Sequence, residues 1–275
     1  NHAAFAAVHA DAFAETCTCR QHQLKIAFQP AGCGRANHVI ALAERQGGKD
    51  GFMEKQETGN TGSNRNTPEP GRQFTVTQGY LKDHIYMGVQ KRSCSRILKK
   101  DFLNVELYLW IELETDHPEE GVLAFKMPAW FPGACRLPEE ALWAAARENM
   151  RGSFTVKTLA SVIGFPEEDE SGKLHIMTSS RCVTGAAALA FPEEMERYCT
   201  RLGEEGCYIL PSSKQELILV PASYPEEGAP EALAQLVASV NRTHVPEASR
   251  LPACAYYYGR GTGRIVVAAS CEEDG

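Results

Sequence analysis

Leu202–Ser223, LGEEGCYILPSSKQELILVPAS, carries two short apolar runs, Cys207–Leu210 and Leu217–Val220, around a polar Pro-Ser-Ser-Lys-Gln turn. Aromatic and branched aliphatic side chains dominate both runs, and such residues suit a pleated, half-buried surface. Pro211 restricts φ in the turn, and Ser212 can hydrogen-bond the local backbone. The stretch predicts a β-hairpin, and the remaining elements are read around it.

Downstream, Pro230–Asn241 has Leu233, Leu236, Val237 and Val240 at helical spacing. Ala253–Tyr258 and Arg264–Ala269 are strand-like runs around GRGTG, whose glycines suit a tight hairpin. Upstream, Gly185–Leu202 predicts a helix that Pro192 splits and Gly203 stops, with Glu193 and Arg197 as an i,i+4 pair. Leu174–Thr178 predicts a strand and Val156–Ile163 a short helix. Pro138 stands at the expected N1 position of a helix running to Met150, followed by two glutamates at its positive end. Asn104–Leu113 alternates, with Val105, Leu107, Leu109 and Ile111 on one face, and Gly121–Phe125 is its expected partner strand. Tyr80–Lys91 predicts a helix, as do Ala3–Glu15 and His38–Gln46, and Leu24–Phe28 a short strand. Helices and strands alternate irregularly, with hairpins among the strands. The expected class is α+β, a mostly antiparallel sheet with helices packed on it.

Gly47–Arg72 is rich in Gly, Asn, Thr and Pro, with a single apolar pair at Phe52–Met53. Such a segment buries too little apolar surface to offset its ordering entropy. The expected organisation is therefore an N-terminal segment (1–46), a flexible linker (47–72) and an α+β domain (73–275).

The chain of 275 residues has a formal net charge of −7. Residues 1–100 carry 14 Lys and Arg against 8 Asp and Glu, whereas residues 101–275 carry 14 against 27. An acidic body argues against nucleic acid, because phosphate contacts need local positive charge. No apolar stretch reaches the roughly 20 residues of a membrane helix. Asn1–Glu15 contains His9 and Asp11 and lacks a basic lead, so it does not read as a secretory leader. Ten cysteines occur without a Cys-x-x-Cys pair, and most sit in apolar runs as core thiols do. A cytoplasmic location is expected.

Each sequence that invites a chemical reading has a structural one beside it. Gly32-Cys-Gly34 after a candidate strand resembles a dinucleotide loop, but Asn37 replaces its third glycine, so no cofactor is expected. Cys17, Cys19, His22 and Cys33 are four soft ligands in a short span, and they are the candidate zinc set. Ser212 and Ser213 are candidate nucleophiles and His244, or His175, a candidate base, although nothing like Gly-x-Ser-x-Gly surrounds the serines. Tyr256–Tyr258 should leave at least one tyrosine exposed on a sheet face, where tyrosines commonly make contacts.

Four segments in order resemble an uncharacterised bacterial family, the domain of unknown function numbered 5688. They are DFLNVELYLWIEL from Asp101, LPEEALWAAARENM from Leu137, LGEEGCYILPSSKQELILVP from Leu202, and LVASVNRTHVPEASRLPACAYYYGR from Leu236. The resemblance covers roughly residues 80–268. It implies a fold but no activity and no catalytic residues. The expected function is that of a non-catalytic cytoplasmic interaction or regulatory protein of bacterial origin, with another protein as partner. The rivals are a hydrolase-like enzyme with Ser212, Ser213, Lys214 and Glu216 beside a histidine, and an N-terminal zinc-binding module.

Overall fold

A computed structural model describes residues 23–29, 38–43, 73–114, 122–162, 174–180, 183–224 and 229–271. Strand β1 (Gln23–Gln29) pairs with β2 (His38–Ala43) on one side and β3 (Gln73–Thr77) on the other. After β3, the Thr77 hydroxyl accepts from the Tyr80 N–H at 3.1 Å and caps the short helix α1 (Gln78–Asp83).

A second sheet follows, from β4 (Ile85–Gln90), β5 (Lys99–Phe102), β6 (Val105–Glu114) and β7 (Val122–Lys126). The long β6 pairs with β4 along one side, and with β5 and then β7 along the other. Helices α2 (Phe131–Cys135) and α3 (Glu139–Met150) lead to β8 (Phe154–Thr158), α4 (Leu159–Val162) and β9 (His175–Ser179). A 3-10 run at Gly185–Ala190 then precedes α5 (Pro192–Leu202), β10 (Gly206–Leu210) and β11 (Glu216–Pro221). Helix α6 (Ala229–Thr243), β12 (Cys254–Gly259) and β13 (Arg264–Ser270) complete the described chain. The third sheet has the order β13-β12-β10-β11-β9-β8. Every strand pairing among the described residues is antiparallel, as the α+β reading expects.

The third sheet is covered on both faces. Ile209, Leu219 and Tyr256 point into the main core with Leu109, Phe131, Leu142, Phe191 and Met195. Their neighbours Leu210, Val220 and Ala255 point the other way, against Ala234, Val237 and Ala238 of α6. With both faces apolar, a strand reads as a continuous hydrophobic run, which is why YIL, LILV and AYYY look alike in sequence. None of the helices among the described residues is long and apolar enough to cross a membrane.

The hairpin forms as read, with Leu210 opposite Ile218. The expected helix at His38–Gln46 is instead strand β2, paired to β1 from Gln29–His38 onward. Only the first part of Tyr80–Lys91 is helical, because Ile85, Tyr86 and Val89 are buried as β4 against β6. Val156–Ile163 is also corrected: β8 runs to Thr158, and α4 is a single turn after it. Pro138 is the N-cap of α3 rather than its first residue, and Pro192 divides the 3-10 run from α5. Glu193 pairs with Arg147 across helices at 2.6 Å, and Arg197 pairs with Glu194 instead. The expected exposed tyrosine is absent too. Tyr256 and Tyr258 are buried, bonded to Asn104 Oδ1 at 2.6 Å and Glu196 Oε2 at 2.7 Å, and Tyr257 is half-buried with its ring 5.1 Å from that of Tyr208. The expected helix at 3–15 and the linker at 47–72 lie outside the described residues.

Candidate functional site

The alternation of β6 sends Val105, Leu107, Leu109 and Ile111 to one face and Glu106, Tyr108 and Trp110 to the other. Antiparallel register then decides who joins the second set. Gln90 of β4 lies opposite Glu106, Gly88 opposite Tyr108, and Tyr86 opposite Trp110. From the other side, Lys99 of β5 lies opposite Tyr108 and Lys126 of β7 opposite Trp110. Four polar or charged side chains thus converge around one tyrosine ring.

Glu106 is the acceptor at the centre, and only 3% of its surface is exposed. Oε1 accepts from Lys99 Nζ at 2.7 Å and from the Ser93 N–H at 2.8 Å. Oε2 accepts from Gln90 Nε2 at 2.9 Å and Ser93 Oγ at 3.1 Å. Burial alone would raise this carboxyl, but the bonds from Lys99, Gln90 and Ser93 together outweigh it and hold it below the usual carboxylate range.

Lys126 sits above this network without sharing in the carboxylate. Its ammonium donates to Gln90 Oε1 at 2.5 Å and stands 4.4 Å over the Tyr108 ring. Gly88 leaves the space that this ring occupies, since a Cβ there would lie 2.3 Å from Tyr108 Cζ. Burial, and then the nearby charge of Lys214, push Lys126 down to about 8, against the pull of Glu106. Burial likewise lowers Lys214 and raises the Tyr108 phenol to about 12.

Lys214 arrives from the third sheet, in the turn between β10 and β11. That turn is held on two sides: Lys214 O accepts from Ala186 N at 3.2 Å, and Lys214 N donates to Ser249 O at 3.1 Å. The side chain donates to Ala248 O at 2.5 Å. Gly185 allows the closest approach, because a Cβ on it would fall 2.1 Å from Gln215 O. Among the described residues, neither Lys126 nor Lys214 forms an ion pair with a carboxylate. Lys99 and Glu106 neutralise each other, so the cluster retains two positive charges.

The candidates read from sequence fall around this site without assembling a nucleophile. Ser212 Oγ donates to Glu216 O at 3.3 Å and Oε1 at 3.1 Å, and Ser213 Oγ accepts from Gln215 N at 3.1 Å. His244 lies at the exposed end of α6, its Nδ1 2.5 Å from Thr243 Oγ1. His175 is buried in β9, with Nδ1 3.0 Å from the Tyr198 hydroxyl. Among the described residues neither serine is hydrogen-bonded to a histidine. Cys17, Cys19, His22 and Cys33 lie outside the described residues, and no cluster of three metal-ligating side chains occurs among those described.

The sequence pointed to Lys214 only as part of a hydrolase-like turn with Ser212, Ser213 and Glu216, and it did not point to Glu106, Gln90 or Lys126. The available signal was the alternation itself, since Glu106 shares a face of β6 with Tyr108 and Trp110, opposite Val105, Leu107, Leu109 and Ile111.

Residues 134–260 match the model of a Family of unknown function, DUF5688, which bears out the resemblance over that span. The match takes in α3, the β10–β11 hairpin with Lys214, and β12; Glu106 and Lys126 precede it. No curated protein and no solved structure matches the chain.

Proposed function

We propose that this chain is a non-catalytic regulatory or interaction protein that recognises an anionic group with Lys126 and Lys214. One observation carries the reading: Lys126 stands half-buried over the Tyr108 ring, bonded to Gln90, and among the described residues neither it nor the half-buried Lys214 forms an ion pair with a carboxylate. A half-buried charge without a counter-ion is costly, and a like charge beside it adds to the cost. A bound anion removes both penalties. The partner is an anionic small molecule or the anionic group of another protein.

A reducing, cytoplasmic setting fits the six described cysteines, all of them free thiols. The rival reading, a hydrolase at the 211–216 turn, has less support, because both serine hydroxyls are engaged by the turn's own residues.

Thermal unfolding in a panel of sodium salts tests the proposal. Stabilisation by small anions should be larger in the wild type than in Lys126→Met or Lys214→Met. Equal stabilisation of all three proteins would reduce the effect to general salt action and reject the site.

A further inference from the structure

We propose that β13 pairs antiparallel with β13 of a second copy of this chain, so that two six-stranded sheets join across a two-fold axis. None of the anion-binding lysines takes part.

β13 is an edge of the third sheet: β12 pairs with it on one side, and no described strand lies on the other. A strand so placed presents a row of backbone N–H and C=O groups on its outer side, which is a template for one further strand. Proteins block such edges with charges, with proline or by keeping the strand short. The opposite edge of the same sheet is blocked in this way. There β8 is five residues long, carries the exposed Lys157 and passes directly into α4. In the second sheet, β5 is four residues long and reads KKDF. β13 has neither protection. Its seven residues, RIVVAAS, include no proline, and its one charge, Arg264, stands at the first position. The register shift opposite Ala255 and Tyr256 lies beyond Val267 and leaves Arg264–Val267 paired to β12 without a break.

The strand is also firmly seated. Ile265 packs on the main core and Ala269 on the cluster beneath α6. The two valines between them are not covered: Val266 is 50% exposed and Val267 37%. Neighbours in a strand point to opposite faces, so one added strand would shield both valines at once. Cross-strand contacts among β-branched side chains then stabilise the pair.

Charge selects a second copy as the occupant. Arg264 is exposed and forms no ion pair among the described residues. In sequence, β13 is followed by Cys271, Glu272, Glu273 and Asp274. Antiparallel pairing about Val266–Val267 runs the acidic residues after one β13 past Arg264 of the other. The two-fold axis repeats this match at the other end, as a self-complementary interface requires. Parallel pairing of the same strands would set Arg264 beside Arg264, which is unfavourable.

Sedimentation equilibrium of the full chain from about 1 μM to about 500 μM tests this, with Val267→Lys, Arg264→Glu and the control Val183→Lys. Val183 is as exposed as Val266 but lies outside β13. The expected mass rises with concentration from that of one chain to twice that value. Val267→Lys brings two ammonium groups together near the axis and should weaken the dimer about tenfold or more. Arg264→Glu sets acid against acid at both ends and should weaken it about threefold or more, while Val183→Lys leaves it unchanged. A monomer throughout the range would overturn the proposal. So would a dimer that neither β13 substitution weakens, or one that Val183→Lys weakens as much as Val267→Lys does.

Hydrogen exchange on the wild type keeps the test independent of whether the variants fold. Amides of β13 should gain protection as concentration rises through the transition, and amides of β8, at the far edge, should not. Protection of β13 that does not change with concentration would overturn the proposal.

Discussion

Glu106 is held by four donors and Lys126 by one acceptor, and this difference sets opposite behaviour for two charges on one sheet face. Removing the carboxylate strands Lys99, Gln90 and Ser93 together. Glu106→Ala should therefore cost about 3–5 kcal/mol of stability in urea unfolding, and Glu106→Gln, which keeps an acceptor, clearly less. The Glu106 carboxyl is depressed in the folded state, so its contribution is full above the unfolded carboxylate's range and is lost as pH falls through its folded value. Lys126 has the reverse sign. Its folded value, about 8, lies below the ordinary 10.5, so the penalty of burying its charge is full below pH 8 and is relieved as pH rises from there. The stability difference between wild type and Lys126→Met should thus move in favour of the wild type between pH 8 and 10.5. A difference that stays flat across that window would show that Lys126 titrates normally.

Elements were legible where local chemistry and tertiary context agree. The hairpin is fixed by Pro211 and Ser212 between two β-rich runs, and Pro192 and Gly203 mark the ends of α5 with residues that cannot continue it. The misread segments are those where propensity and context diverge. Ala41, Leu42 and Ala43 are helix formers, yet they pair with Ile26, Lys25 and Leu24 in β1. Ile85–Gln90 follows a genuine helix start, and its side chains are buried throughout, which erases any alternation that would have marked it as a strand. The site was half visible for the same reason. Lys214 stands in a readable turn, but the surroundings of Lys126 depend on β4, β6 and β7 lying side by side in register, and no local pattern encodes that. Gly185 is the element-scale test of this placement. Gly185→Ala forces the 3-10 run and Gln215 apart, and should destabilise by about 1–3 kcal/mol while weakening anion binding. Loss of stability with unchanged binding would separate the turn's position from the site.

At the scale of the molecule, the third sheet is the middle layer, with α6 on one face and the main core on the other. Tyr256 reaches across that core to Asn104, at the start of β6, through a 2.6 Å bond. The two sheets that supply the lysines are therefore joined by buried packing and by this polar contact. Tyr256→Phe should cost about 0.5–1.5 kcal/mol for the lost bond, and Tyr256→Ala about 3–5 kcal/mol for the cavity. Chemical unfolding of the three proteins checks both values, and equal losses would mean that the hydroxyl, not the ring, holds the layers.

The most direct measurement is the NMR titration of the Lys126 side-chain nitrogen, with and without saturating inorganic phosphate. The account predicts a midpoint near pH 8 in the anion-free protein and an upward shift when phosphate is bound, because an anion that prefers the ammonium must raise its proton affinity. A midpoint at the ordinary lysine value, or one that phosphate does not move, would contradict it.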